Sequence, residues 1–242
     1  MPNLSAGPLA LVLLSVAIGG TIQGAIGFGF ALICVPVLAL VLPEAVPFTV
    51  LFLALPLTVW MALRERAHID VRGFLSILAG RVLGTAAGVW ILVAVSSGAV
   101  SVLLGSLIVV AVLVSALGLD VEPTRGMTFG AGIVSGVMGT ASAIGGPALV
   151  VVYQRRPGPE LRSTLALSFT VGLLMSIGAL LAAGEIRAWH AVLALELLPA
   201  LGLGLWLSRS IARFLDARWL RPAVLAFALL AGVVIAVRGV LG

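Results

Sequence analysis

The chain has 242 residues, 62% of them hydrophobic and 10% charged, with a mean hydropathy of +1.27. A soluble domain carries roughly 25% charged residues, so the composition excludes a soluble globular protein and leaves no room for a soluble domain. The cations behind the net charge of +5 are all arginine; they fall mostly in short links, which reads as membrane orientation rather than nucleic-acid binding.

Met1 to Pro8 has no basic residue, so the first hydrophobic stretch is expected to be retained rather than cleaved as a secretory signal. Leu9 to Val41 is a broken segment. Within it, Gly20 to Pro36 reads GTIQGAIGFGFALICVP. Glycine and proline interrupt helices, and in a bilayer such a break is tolerated only against protein or a water-filled cavity. Pro43, Glu44 and Pro47 make a turn. Val46 to Leu63 spans, and Arg64 to Arg72 is a charged loop. Phe74 to Val95 spans with Arg81 inside it. Ser96-Ser97-Gly98 is a turn, Val100 to Leu117 spans, and Leu119 to Arg125 is a polar link.

The second half repeats this order. Met127 to Tyr153 is broken in the stretch Gly132 to Pro147, GIVSGVMGTASAIGGP. A charged loop, Gln154 to Arg162, precedes spans over Leu161 to Ala183, Trp189 to Leu207 and Ala223 to Val237. The Gly24-x-x-Gly27 pair matches Gly136-x-x-Gly139, Pro47 matches Pro159, and Gly88-Val89-Trp90 aligns with Gly204-Leu205-Trp206. That alignment sets Glu196, inside its span, opposite Gly80. The expected fold is an all-α polytopic membrane protein. It has two repeats, residues 1–118 and 126–242, joined by a linker at 119–125. Each repeat is a broken, re-entrant helical hairpin plus three transmembrane helices. Eight full crossings would place the arginine loops on opposite sides. Re-entrant hairpins place nearly all of them inside and make the repeats inverted. Met127 to Gly139 and Gly146 to Tyr153 are far shorter than the roughly 20 residues a crossing needs; Leu9 to Ile22 is nearly long enough.

Paired broken segments point to a transporter site. The second arm of each hairpin should begin near mid-membrane and aim its N–H groups inward, where helix N-termini favour anions. The candidate binding residues are Thr21, Gln23, Gly24, Gly27 and Gly29 in the first break. In the second they are Ser135, Gly136, Gly139, Thr140, Ser142, Gly145 and Gly146. The plainer reading is that these small residues only permit close helix packing. Arg81 and Glu196 are buried-charge candidates. They form either a structural ion pair, or a counter-charge for an anionic substrate and a proton acceptor. Ser168 and Thr170 are further pocket candidates. Cys34 is the only cysteine, so no disulfide forms within the chain. His68 and His190 lack a second ligand at metal spacing. No nucleophile–base spacing, phosphate loop or paired carboxylate appears, so neither an enzyme nor a cofactor is expected.

The stretch GTIQGAIGFGFALICVP, its echo SGVMGTASAIGGPALVVVY and the glycine–tryptophan pattern from Gly84 to Trp90 together resemble the sulfite exporter TauE/SafE family of membrane permeases. The resemblance covers essentially the whole chain and rests on the order and pairing of the motifs. It implies a multi-pass transporter of the bacterial inner membrane that moves sulfite, sulfonates or related small organic anions, driven by an ion gradient. Arg81 and Glu196 map to no motif of the family. The expected partners are the bilayer, a small anion, a coupling proton or sodium ion, and a second copy of the chain in a homodimer. A channel-like anion pore and a non-transporting membrane assembly protein are the alternatives.

Overall fold

The structure, a computed structural model of the protein, describes residues 5–64, 68–95, 99–116, 122–211 and 217–241. Arg66, Arg213, the turn at 96–98 and residues 119–121 of the link lie outside the described residues. Every regular element among the described residues is helical. In chain order they are α1 (Ala6–Ile26), α2 (Phe30–Val41), α3 (Phe48–Arg64), α4 (Val71–Ala94), α5 (Val100–Ala116), α6 (Arg125–Ser142), α7 (Gly146–Tyr153), α8 (Gly158–Ala182), α9 (Ala188–Ile211) and α10 (Ala217–Leu241), with a short 3-10 turn at Pro43–Ala45. Helices α1, α4, α8, α9 and α10 are long and apolar enough to cross a membrane. The first arm of the first break, at 21 residues, is thus longer than a half-membrane arm. At helical rise it covers about 31 Å. Its return arm α2 has 12 residues and α7 has 8, both too short to cross.

Both broken segments fold back on themselves. At the end of α1, Gly27 adopts φ 95° and its N–H donates to the Gln23 carbonyl at 2.8 Å. Gly29, at φ 113°, then starts α2. Two left-handed glycines reverse the chain without the Cβ clash any other residue would meet. The arms run antiparallel. Gly19 lies against Phe30, Gly29 against Ile22, and Ser15 Oγ is 3.8 Å from Cys34 Sγ. The second hairpin turns at Ala143, whose φ of 62° is unusual for a residue with a side chain. There Ser135 Oγ of α6 donates to the Gly145 carbonyl at 2.7 Å, which holds the start of α7 against its partner arm.

Glycine stripes join the halves. A Cβ on Gly80 would meet the Phe129 carbonyl and Ile133 nitrogen, one on Gly84 the Ile133 carbonyl, and one on Gly132 the Ile77 carbonyl. So α4 and α6 lie parallel, backbone to backbone, as small-residue helix pairs do in membranes. The same contacts recur between α1 and α9. A Cβ on Gly204 would meet the Ala17 carbonyl and Thr21 nitrogen, one on Gly20 would meet Leu201, and one on Gly24 would meet Ser208. Ala17 and Thr21 occupy the positions in α1 that Phe129 and Ile133 occupy in α6. Packing therefore pairs Gly80, not Gly88, with Gly204. This corrects the sequence alignment, and Glu196 falls opposite Arg72 rather than Gly80.

Two further pairs run antiparallel. In α5 and α10, Gly105 faces Gly232 and Ala236, while Val102 faces Gly239. In α3 and α8, Phe48 and Leu51 cluster with Leu173, Ile177 and Leu180 at one end, and Met61, Arg64 and Arg162 line one cavity at the other.

Candidate functional site

The α2 N-terminus sits level with Gly19 to Ile22 of α1, and hence with Leu201 near the middle of α9. The α7 N-terminus sits level with Ser135 and Gly139 of α6, which lie against the middle of α4. Both short helices thus begin about halfway along the long ones. Between their starts lies a cavity of about 60 Å³, several times the roughly 10–15 Å³ that admits one water. Gly29, Gly139, Gly145 and Gly146 line it, with Gln23, Thr58 and Arg81 as its polar side chains and Phe28, Phe30, Phe169 and Leu173 among its apolar ones.

Arg81 is the decisive side chain. It is 2% exposed. One of its amino groups, Nη1, donates to Ser135 Oγ at 2.9 Å, and the Ser135 hydroxyl in turn donates a hydrogen bond to the Gly145 carbonyl. Its Nε has no hydrogen-bond partner. The guanidinium fits because two facing positions are glycine. A Cβ on Gly172 of α8 would overlap its Cζ and Nε, and one on Gly139 would lie 3.2 Å from its Nη2. The Gly80 and Gly84 contacts bring α4 close enough to α6 for Ser135 to reach Arg81. Arg81 forms no ion pair among the described residues.

The Arg81–Glu196 ion pair, one of the two sequence alternatives, does not form: Arg81 is buried while Glu196 is exposed. Glu196 is exposed on α9, on a face it shares with Leu195, Leu203 and Trp206, each more than half exposed. Of the two buried-charge candidates, only Arg81 is buried.

The other sequence candidates divide by position. Gln23 caps α2: its Oε1 accepts the Phe30 N–H at 3.0 Å, and the side chain borders the cavity. Thr21 donates to the Ala17 and Gly204 carbonyls at 2.8 and 3.1 Å, and so it joins α1 to α9. Gly24 and Gly136 serve packing, against Ser208 and Gly84. Gly27 is the hinge, with the Arg162 side chain across it. Thr140 pairs with Ser176 at 2.8 Å, and Ser142 donates to its own helix at the Met138 carbonyl. Both are buried away from the cavity. Thr170 likewise bonds to the Ala166 carbonyl, while Ser168 Oγ is buried without a partner. Sequence reading missed Thr58 of α3 and the aromatic wall. The signal for the wall was Phe28 and Phe30 flanking the glycine hinge; Phe169 gave none.

An apolar cluster packs against one side of this cavity. Leu173 and Ala54, which line it, also pack into the apolar cluster of Phe48, Leu51, Leu92, Ile177 and Leu180. At the opposite end Tyr153 of α7 donates to Asp70 Oδ2 at 2.9 Å, and Asp70 Oδ1 caps α4 through the Gly73 N–H. The short arm of the second hairpin is thereby fixed to the start of α4.

No curated protein and no solved structure matches the chain. One family model does, described as sulfite exporter TauE/SafE, over residues 11–235. It takes in both hairpins, Arg81 and the cavity between the two helix starts. With five helices among the described residues able to cross a membrane and a match over nearly its whole length, this multi-pass membrane protein belongs to the sulfite exporter TauE/SafE family of transporters.

Proposed function

We propose that the protein exports small oxyanions, sulfite and simple sulfonates, by alternating access at the cavity beside Arg81. One observation carries this reading: a buried guanidinium with no carboxylate partner borders a cavity between two helix N-termini. An uncompensated buried cation costs several kcal/mol, and a bound anion would offset that cost. The first-turn N–H groups of α2 and α7 add dipoles of the right sign. The cavity admits only a compact ion, and Gln23 offers its amide at the rim.

The repeats are proposed to be inverted. Helices related by the internal two-fold exchange, α5 with α10 and α3 with α8, run antiparallel. An axis along the membrane normal would make them parallel; one in the membrane plane makes them antiparallel. Arg64, Arg155, Arg156, Arg162 and Arg209 all lie toward one end, which the positive-inside rule assigns to the cytoplasm. The apolar cluster around Phe48 then packs against the outer side of the cavity, which favours a carrier over an open pore.

The test is sulfite efflux from proteoliposomes. A carrier gives a rate that saturates with internal sulfite and is stimulated by sulfite outside. A rate that stays linear in concentration and indifferent to external sulfite would favour the channel.

A further inference from the structure

Gln23 is held in a way that leaves one half of its amide for a ligand. The side chain is buried, and its Oε1 accepts the Phe30 N–H at 3.0 Å. Only the oxygen of an amide can accept from a backbone N–H, so this bond fixes which way the group is turned. The oxygen faces the start of α2. The amino group, which carries two donors and no acceptor, is the part left for the cavity that the side chain borders.

The rest of the polar lining agrees with it in sign. Arg81 has donors only, and its Nε is unpartnered. Ala31 and Leu32 in the first turn of α2 and Gly146 at the start of α7 lie on the cavity wall, where first-turn N–H groups have no partner within their own helix. Thr58 is neutral and gives its hydroxyl to the Leu55 carbonyl at 3.1 Å. No acidic side chain lines the cavity among the described residues. The guanidinium contributes one positive charge and each helix start about half of one, so the cavity presents about two. A singly charged anion offsets about half of that; a doubly charged one offsets all of it.

We infer that Gln23 is a specificity residue, and that the cavity takes the doubly charged oxyanion, sulfite itself, in preference to bisulfite and to singly charged sulfonates; this rests on the exporter reading above and narrows it. Bisulfite forms from sulfite near neutral pH. It has one negative charge fewer, and the proton it gains meets the Gln23 amino group, a donor facing a donor. A sulfonate also has the single charge, and a carbon substituent where sulfite has a lone pair. A site built to donate hydrogen bonds rejects a ligand that leaves its donors unmatched.

The test uses full-length protein in neutral-lipid nanodiscs and titration calorimetry with sulfite and with methanesulfonate, across the pH range in which bisulfite converts to sulfite. Wild-type affinity for total sulfite should rise with the doubly charged fraction and level off when conversion is complete. Methanesulfonate does not titrate in this range. It should bind at least about tenfold more weakly than sulfite at the alkaline end, with an affinity that does not change with pH. A titrating group of the protein would move both ligands. Gln23→Glu keeps an oxygen for the Phe30 N–H, and so keeps the cap, but replaces the amino group with an acceptor. Its sulfite affinity should fall at least about tenfold at the alkaline end and be greatest at the acid end, the reverse of the wild type. Sulfite affinity that ignores pH, or methanesulfonate bound as tightly as sulfite, overturns the charge preference and leaves the site standing. A folded Gln23→Glu protein with the wild-type profile overturns the role of Gln23. Absence of binding of either anion to the wild type at every pH overturns the exporter reading itself.

Discussion

Replacing Arg81 with glutamine separates the cost of the site from its use. Glutamine keeps a donor near Ser135 Oγ, whose own bond to the Gly145 carbonyl is independent of Arg81. The change removes a charge that is 2% exposed and has an unpartnered Nε. In the absence of anion the variant should therefore be more stable than wild type, by about 1 kcal/mol or more. Charge-assisted hydrogen bonds contribute about 1.5–3 kcal/mol each, so sulfite affinity should fall roughly 10- to 150-fold. At sulfite one hundred times the wild-type Kd, the ligand should stabilise the wild type by about 2.7 kcal/mol. That is about 5–10 °C in Tm for a chain of this length. The variant should gain only about 0.3–1.4 kcal/mol at the same concentration. Differential scanning fluorimetry with and without sulfite reads both quantities. An Arg81→Gln protein that binds sulfite as tightly as the wild type would refute the reasoning, whatever its stability.

Gly146→Leu should abolish sulfite binding while the protein stays folded, because a Cβ there meets only Phe169 Cζ at an ordinary 3.6 Å and the remaining side chain fills the cavity; unchanged calorimetric affinity would move the site elsewhere. Glu196→Gln should change stability by less than about 0.5 kcal/mol and add independently to Arg81→Gln in a double-mutant cycle, since the two are not paired; a coupling well above that value would restore the ion pair. Arg64→Cys, Arg156→Cys and Arg209→Cys should each be labelled from the cytoplasm only, with buried Cys34 silent. Labelling of one of them from outside would refute the inverted arrangement.

The sequence by itself determined the all-helical membrane class and the position of both breaks. Those properties are local. A bilayer admits backbone only where its hydrogen bonds are satisfied, so glycine and proline inside an apolar run mark the break wherever the chain goes afterwards. Gln23, Gly29, Gly139, Gly145 and Gly146 border the cavity for that reason: they belong to the breaks that create the two helix starts. Small residues beside the breaks proved ambiguous, because glycine serves close packing as well as ligand approach, and Gly24 and Gly136 face helices rather than the cavity. The tertiary structure alone decided the register of the halves. Gly80, Gly84 and Gly88 recur every four residues, so slipping the α4 stripe by one or two turns leaves the pattern unchanged, and only the meeting of each glycine with a particular carbonyl across α6 fixes it. It alone also decided the surroundings of Arg81. The side chains and gaps that hold the guanidinium come from α6 and α8, remote in the chain, and Gly172, which makes room for it, carries no signal in sequence. Glu196 shows the converse. A carboxylate inside an apolar run reads as buried, yet which face of the helix turns inward is set by what packs on it, and α1 took the face of α9 that bears Leu201, Gly204 and Ser208.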